Sequence, residues 1–202
     1  MDTELSDVGF MVALQQADVF KAIVSSRCLS NYQDWFNLYH LVFRWCIATH
    51  TFFLSCGEII VTLEDVANQL LLPILSDMDP NDIDLSAEEE AVEAAEVELK
   101  KGMCGNAKLS HWVGAFLKAS TTVRHVAFVT FWICKFFFDS YPHYVVKPLY
   151  FRLAIKISTE VSLPLTLMFL GHLYVQLDIL QNDERQASSC HIVTSSAHST
   201  IL

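Results

Sequence analysis

The sequence predicts a mainly α-helical fold with one small β-hairpin near residues 50–61 and an acidic loop–helix excursion beside it. Three observations carry this. Apolar residues recur at helical steps of three and four on both sides of the chain's middle. A single strand–turn–strand signal, "THTFFLSCGEIIVTL", lies between them at residues 49–63. Residues 77–98, "DMDPNDIDLSAEEEAVEAAEVE", hold ten acidic residues and no Lys or Arg.

Taken in order, Phe10, Ala13, Leu14, Ala17, Phe20 and Val24 fall on one face, which predicts an amphipathic helix over 10–24. "RCLSN" at 27–31 breaks the pattern. A second helix is expected from about Tyr32, with Trp35, Leu38, Tyr39, Val42, Trp45 and Cys46 forming a wide aromatic stripe suited to a core. "THTFFLS" and "IIVTL" then read as short strands around "CGE", a reversal in which Gly57 supplies the positive φ. "TLED" is a capping box: Thr62 accepts from the amide of Asp65, whose carboxylate reaches back to the amide of Thr62. The helix it starts, "EDVANQLLL", ends at Pro73, and Glu64 and Asp65 sit in the first turn, where the helix dipole favours negative charge.

The acidic stretch has its own order. "DMDPNDID" reads as an exposed loop, and Ser86 with Glu89 makes a second capping box. Lys100 and Lys101 close that helix and Gly102 follows it. Its apolar stripe, Val92, Ala95 and Leu99, is narrow, so a solvated helix is expected. Residues 1–202 are thus expected to form one domain, with N-terminal helices and hairpin over 10–76, an acidic linker and helix over 77–108, and a helical half over 109–202. In that half, "SHWVGAFLKAS" and "VRHVAFVTFWICKFFF" are helices, "SYPHYVVKP" connects them onward, and "LYFRLAIKISTEV" resumes a helix. Pro164 opens another, with Leu170, Leu173, Tyr174, Leu177 and Leu180 on one side.

Composition limits the partners. The chain is 52% hydrophobic, with a mean hydropathy of +0.34. Lys135 splits "VAFVTFWIC" from "FFF", and "LPLTLMFLGHLYVQLDIL" contains Pro164, His172, Gln176 and Asp178. Neither offers the roughly 20 apolar residues of a spanning helix. Exposed apolar surface covered by protein partners is expected instead, and no membrane. The net charge of −10 resides in the acidic stretch, because removing its ten acids leaves thirteen acidic against thirteen basic residues. No basic stripe remains to track phosphates, so direct nucleic-acid binding is not expected.

The six cysteines, Cys28, Cys46, Cys56, Cys104, Cys134 and Cys190, show neither C-x-x-C spacing nor pairing with His at zinc-finger spacing. The start, "MDTELSDVG", lacks a basic n-region, which points to reduced thiols in the nucleus or cytoplasm. His50, Cys46 and Cys56 fall short of a three- or four-ligand metal set. His50 is expected to satisfy buried polar groups beside the hairpin. Cys190–His191 and Ser195 with His198 place nucleophile and base letters together, yet no G-x-S-x-G surrounds any serine. "GMCGNAK" lacks the second half of a phosphate loop. The expectation is therefore no enzyme, no cofactor and no metal, with a hydrolase using Cys190, His191 or His198 as the rival.

The stretch "RWCIATHTFFLSCGEIIVTLEDV" resembles the plant mobile domain family, also labelled aminotransferase-like. Its signature is a tryptophan followed by T-H-T-F, a G-E turn and a T-L-E/Q-D-V helix start. The matching residues are Trp45, Thr49, His50, Thr51, Phe52, Gly57, Glu58, Thr62, Leu63, Glu64, Asp65 and Val66. The resemblance continues through "HWVGAFLK", "KPLYFRLAIKIS" and "CHIVTSSAHSTIL". Two departures stand out: Ala48 replaces the family's usual acidic residue, and family members run on past the position of Leu202, which gives the expectation of a truncated copy. The resemblance implies a nuclear plant protein (the cytoplasm being the alternative) linked to gene silencing and meristem maintenance, or a transposon-derived relic. It does not bring an aminotransferase activity, since no lysine here sits in a recognisable pyridoxal-phosphate setting.

Overall fold

A computed structural model describes residues 4–29, 35–76, 78–103, 107–139, 142–185 and 196–202. The fold is mainly helical, with one small antiparallel sheet. Helices α1 (Val8–Gln16) and α2 (Phe20–Ser25) stand where one continuous helix was expected. The chain turns through 111° between them. Asp18 adopts a left-handed φ of 56° there, the amide of Asp18 bonds the carbonyl of Gln15, and that of Val19 bonds Leu14. This is a Schellman closure with Asp in the usual glycine position. The apolar spacing runs straight through the break because Leu14, Ala17 and Val19 are all fully buried on either side of it.

Helix α3 (Trp35–Phe43) also stops earlier than its stripe implies. Trp45–Cys46 is not its last turn but strand β1, paired with β2 (Thr51–Leu54), which pairs in turn with β3 (Gly57–Ile59). Burial continues into β1, with Trp45 2% exposed, so a buried tryptophan at helical spacing looked like more helix. The expected hairpin is β2–β3. Its two-residue turn, Ser55–Cys56, is possible because Gly57 takes a φ of +129°. Helix α4 (Leu63–Leu70) starts at the Thr62–Asp65 capping box and closes on Leu71 at φ 54°.

The acidic helix α5 (Ala87–Lys101) begins at the Ser86–Glu89 capping box. It is not a solvated spacer. Helix α6 (Leu109–Phe116) leads into α7 (Thr121–Trp132), which continues as a π-helical turn over Ile133–Phe137 and packs against α5, α6 and α8 (Phe151–Ser158). From Val126 to Thr130, and again at Trp132, Ile133 and Cys134, α7 and its extension are buried on all sides, as a central helix requires. Each tryptophan packed there finds a partner for its indole N–H: Trp112 donates to the carbonyl of Ala127 at 2.9 Å, and Trp132 to Ser26 Oγ at 2.9 Å.

Helix α5 docks on α8 through a two-rung ladder. Arg152 Nε donates to Glu93 Oε1 at 2.9 Å, and Lys156 Nζ to Glu89 Oε2 at 2.7 Å. Both helices step by four residues, so the rungs stack on one face of each. Further along α5, Glu96 is wholly buried and accepts from Thr130 Oγ1 of α7 at 3.0 Å. Helix α9 (Leu165–Arg185) carries α3, α4 and β1 on its flanks, and α10 (Ser196–Ile201) packs on α4 and the π-helical turn. Among the described residues, no single helix is long and apolar enough to cross a membrane.

Candidate functional site

The signature residues converge on α9. Trp45 Nε1 donates to Asp178 Oδ1 at 2.7 Å, and His50 Nε2 lies 3.3 Å from Asp178 Oδ2, so one carboxylate holds both rings. His50 stands in the loop between β1 and β2 at φ 52°, a left-handed conformation that His tolerates better than most residues. Its imidazole stacks near Trp45 at 5.7 Å and near Tyr174 at 5.3 Å. The ring is 44% exposed rather than buried, and the polar group it satisfies is Asp178, not a group of the hairpin. Two further α9 side chains complete the junction. Tyr174 donates its hydroxyl to the carbonyl of Val61 at 2.6 Å, and Gln181 donates to that of Trp45 at 3.0 Å.

The remaining signature residues shape the sheet and the helix after it. Phe52 is buried against Trp45 at 4.8 Å between ring centroids. Thr49 and Thr51 share a hydroxyl–hydroxyl bond of 2.7 Å, and Thr51 Oγ1 also donates to Glu58 Oε2 at 3.3 Å. The amide of Thr62 donates to Asp65 Oδ2 at 2.8 Å, and the amide of Asp65 donates to Thr62 Oγ1 at 3.2 Å. These bonds from the side chain and amide of Thr62 hold the Asp65 carboxyl below its ordinary value. Val66 is fully buried, Leu63 is half-buried against the core, and Glu64 points outward in the first turn.

A family model described as plant mobile domain matches residues 18–198 of the 202-residue chain. The chain belongs to the plant mobile domain family. No curated protein and no solved structure matches it.

Within this plant mobile domain, chemistry-bearing residues also gather away from the signature. His172 Nδ1 and His198 Nε2 are 3.1 Å apart, their rings are stacked at 5.0 Å, and His198 stacks on Phe169 at 4.9 Å. Burial pushes His172 down to about 4, and burial pushes His198 well below its ordinary value with His172 adding to the effect. Both imidazoles are therefore neutral at pH 7, and the bond between them needs one ring to donate. His198 is fully buried. Cys190, His191 and Ser195 lie outside the described residues.

The Cys46 thiol is held below its ordinary value. Its pKa is lowered by the Thr49 side chain, followed by the backbone amides of Thr49 and Ala48. Cys134 behaves oppositely, its thiol pushed up to about 12 by burial. Cys56 is exposed at the hairpin turn, and among the described residues no three His, Cys, Asp or Glu side chains gather as a metal set.

Three partners in these sites escaped the sequence reading: Asp178, Gln181 and Glu96. The first two act across 133 and 136 residues of chain, a distance over which periodicity carries no information. Glu96 sits in an acidic run whose composition marks it as solvated. The sole local signal was Val92 one turn before it, on the stripe that faces the core.

Proposed function

We propose that this plant mobile domain is a non-enzymatic protein-interaction module that works in the nucleus, in gene silencing and meristem maintenance. The observation that supports the interaction reading is an exposed apolar face on adjoining elements. Tyr39 and Phe43 are 42% and 63% exposed one turn apart on α3, and Val175 and Ile179 are 54% and 47% exposed one turn apart on α9, against which α3 packs. Phe53 and Ile59 of the sheet are exposed as well. Scattered single residues of this kind need no explanation, but paired apolar residues on neighbouring helices suit a protein partner. The nuclear role rests on family membership alone.

The signature polar groups favour the same reading. Asp178, His50, Thr62 and Asp65 spend their hydrogen bonds on holding strands and helices together, which leaves a scaffold role as the simplest use for them. Proximity labelling in plant cells with the full chain, against Phe43→Ser with Ile179→Ser, tests the proposal. Nuclear partners that label with the native chain and drop out with the double variant would support it. Exclusively secretory or membrane partners, or a serine or cysteine labelled by a hydrolase-directed probe in purified protein, would overturn it.

A further inference from the structure

The two edges of the three-stranded sheet are finished differently. On the outer side of β1, the carbonyl of Trp45 accepts from Gln181, and α9 covers that edge. Nothing among the described residues does the same for β3, and the register shows which of its groups are left over. The amide of Phe53 donates to the carbonyl of Arg44 on the β1 side, so the backbone of Phe53 faces away from β3. Phe53–Glu58 is therefore a non-hydrogen-bonded pair, and its neighbours Phe52–Ile59 and Leu54–Gly57 are the pairs that exchange bonds. Glu58, and Ile60 one alternation further on, thus direct their N–H and C=O groups outward. No hydrogen bond reaches those groups from the described residues. The open stretch ends at Thr62, whose amide is taken by Asp65.

The side chains along this edge agree with an unfinished sheet. Phe52 is in the core, so Ile59, directly opposite it, lies on the core-facing side. Ile59 is nevertheless 47% exposed, because no strand stands beyond it. Glu58 and Ile60 lie on the other face, where Ile60 is 48% exposed. Edges that must stay unpaired carry a proline, a lysine or a bulge. The segment "GEIIV" at 57–61 has neither residue, and its pairing with β2 is regular. Free backbone donors and acceptors at strand spacing specify the occupant: another β-strand.

We infer that this strand is β3 of a second copy of the chain, added antiparallel across a two-fold axis. Such an interface must be self-complementary. With Ile59 on the axis, Glu58 of each copy stands opposite Ile60 of the other, and the outward groups of both residues exchange bonds. The two Ile59 side chains meet as a non-hydrogen-bonded pair, with Cα atoms about 4.5 Å apart, and cover each other on the core-facing side. The neighbouring registers are worse. An axis on Glu58 sets two carboxylates directly opposite. An axis on Ile60 sets Glu58 opposite Thr62, whose amide is already engaged. Only the Ile59-centred register uses every free group, and it merges the two sheets into one with no open edge at β3. Because backbone groups at a strand edge make this contact, it goes beyond the apolar face of α3 and α9.

The test is sedimentation velocity of the full chain from micromolar to submillimolar concentration, with circular dichroism to show that each variant is folded. The native chain should pass from monomer to dimer as concentration rises. Ile60→Pro removes an N–H that faces outward, so the monomer loses no hydrogen bond, yet dimerisation should weaken about tenfold or more. Ile60→Val, which keeps the amide, should dimerise like the native chain. Ile59→Lys and Ile59→Glu should each be monomeric alone and should dimerise when mixed, because this residue meets its own counterpart on the axis. Phe43→Ser with Ile179→Ser should leave the dimer intact, which separates this contact from the apolar face. A native chain that stays monomeric throughout would overturn the inference. So would a dimer that Ile60→Pro leaves unchanged, or a mixture of the Ile59→Lys and Ile59→Glu chains that remains monomeric.

Discussion

Glu96 is the side chain whose replacement should be most informative. Its carboxyl is wholly buried, bonds one Thr130 hydroxyl through Oε1, and leaves Oε2 with no partner among the described residues. Burial pushes its pKa up from 4.5 to about 8; the Thr130 bond opposes the rise, and nearby Glu93 adds to it. The raised value makes the folded state hold a proton that the unfolded state has already released. Below pH 4.5 both states are protonated and there is no penalty. Between 4.5 and about 8 stability falls as pH rises, and above that both states are ionised and the loss levels off. The cleanest window is pH 6.5 to 8, from the ordinary histidine value upward, where the buried His172 is neutral in the folded state and loses its remaining charge in the unfolded one. Across it the cost is about 2 kcal/mol, at roughly 1.4 kcal/mol per pH step. For a chain of this length that is a melting temperature lower by roughly 4–8 °C at the alkaline end. Glu96→Gln keeps the shape and the acceptor for Thr130 but cannot ionise, so its melting temperature should be nearly flat over the window. Thermal unfolding by circular dichroism of both proteins at several pH values measures this. Equal slopes for the two would refute the reasoning, because they would mean that Glu96 ionises in the folded protein as it does in water.

Other outcomes follow from the same structure. Thr62→Ala should remove the α4 cap and cost about 1 kcal/mol in urea unfolding, whereas Thr62→Ser should retain most of it. Asp178→Ala should release both Trp45 and His50, seen as a red shift of tryptophan emission together with lower stability; Asp178→Asn, which can still accept from Trp45, should do less. His172 and His198 both have depressed values, so the stability they support is present above pH 6.5 and is lost as pH falls below it, through about 4 for His172. Amide exchange should therefore show α10 losing protection first on acidification, and His198→Phe should blunt that response. Iodoacetamide should modify Cys46 with a midpoint below the ordinary thiol value of 9.0 and leave Cys134 unmodified in the folded protein, as mass spectrometry of digests would reveal.

What could be read from the residues alone was what neighbouring residues decide. The two capping boxes, the Gly57 reversal and the helical stripes of the C-terminal half all depend on contacts within about one turn, and all are present. The departures have a common cause in tertiary context. Asp18 breaks the first helix because Val19 is buried beside Leu14 only if the chain turns there. Trp45 leaves its helix because its strand pairs with Phe52 and its indole N–H reaches a carboxylate on α9. Helix α5 reads as solvated because it carries six acidic residues and only a narrow apolar stripe, yet three of those acids are what dock it on α7 and α8. Composition counts charges but does not reveal which of them have partners.

The dependence of the signature on α9 has a consequence for how the chain is made. Val61 waits 113 residues for the hydroxyl of Tyr174, and the carbonyl of Trp45 waits 136 for Gln181. At roughly 5–20 residues per second, a ribosome needs about 7 to 27 s to deliver those partners after the tryptophan has emerged. For that interval the three strands, with Phe52 and the indole of Trp45 uncovered, form a sticky and unfinished sheet on the nascent chain. The N-terminal part of this domain is therefore synthesised first but completed last, and its yield in the cell should depend on what shields it while α9 is still being translated.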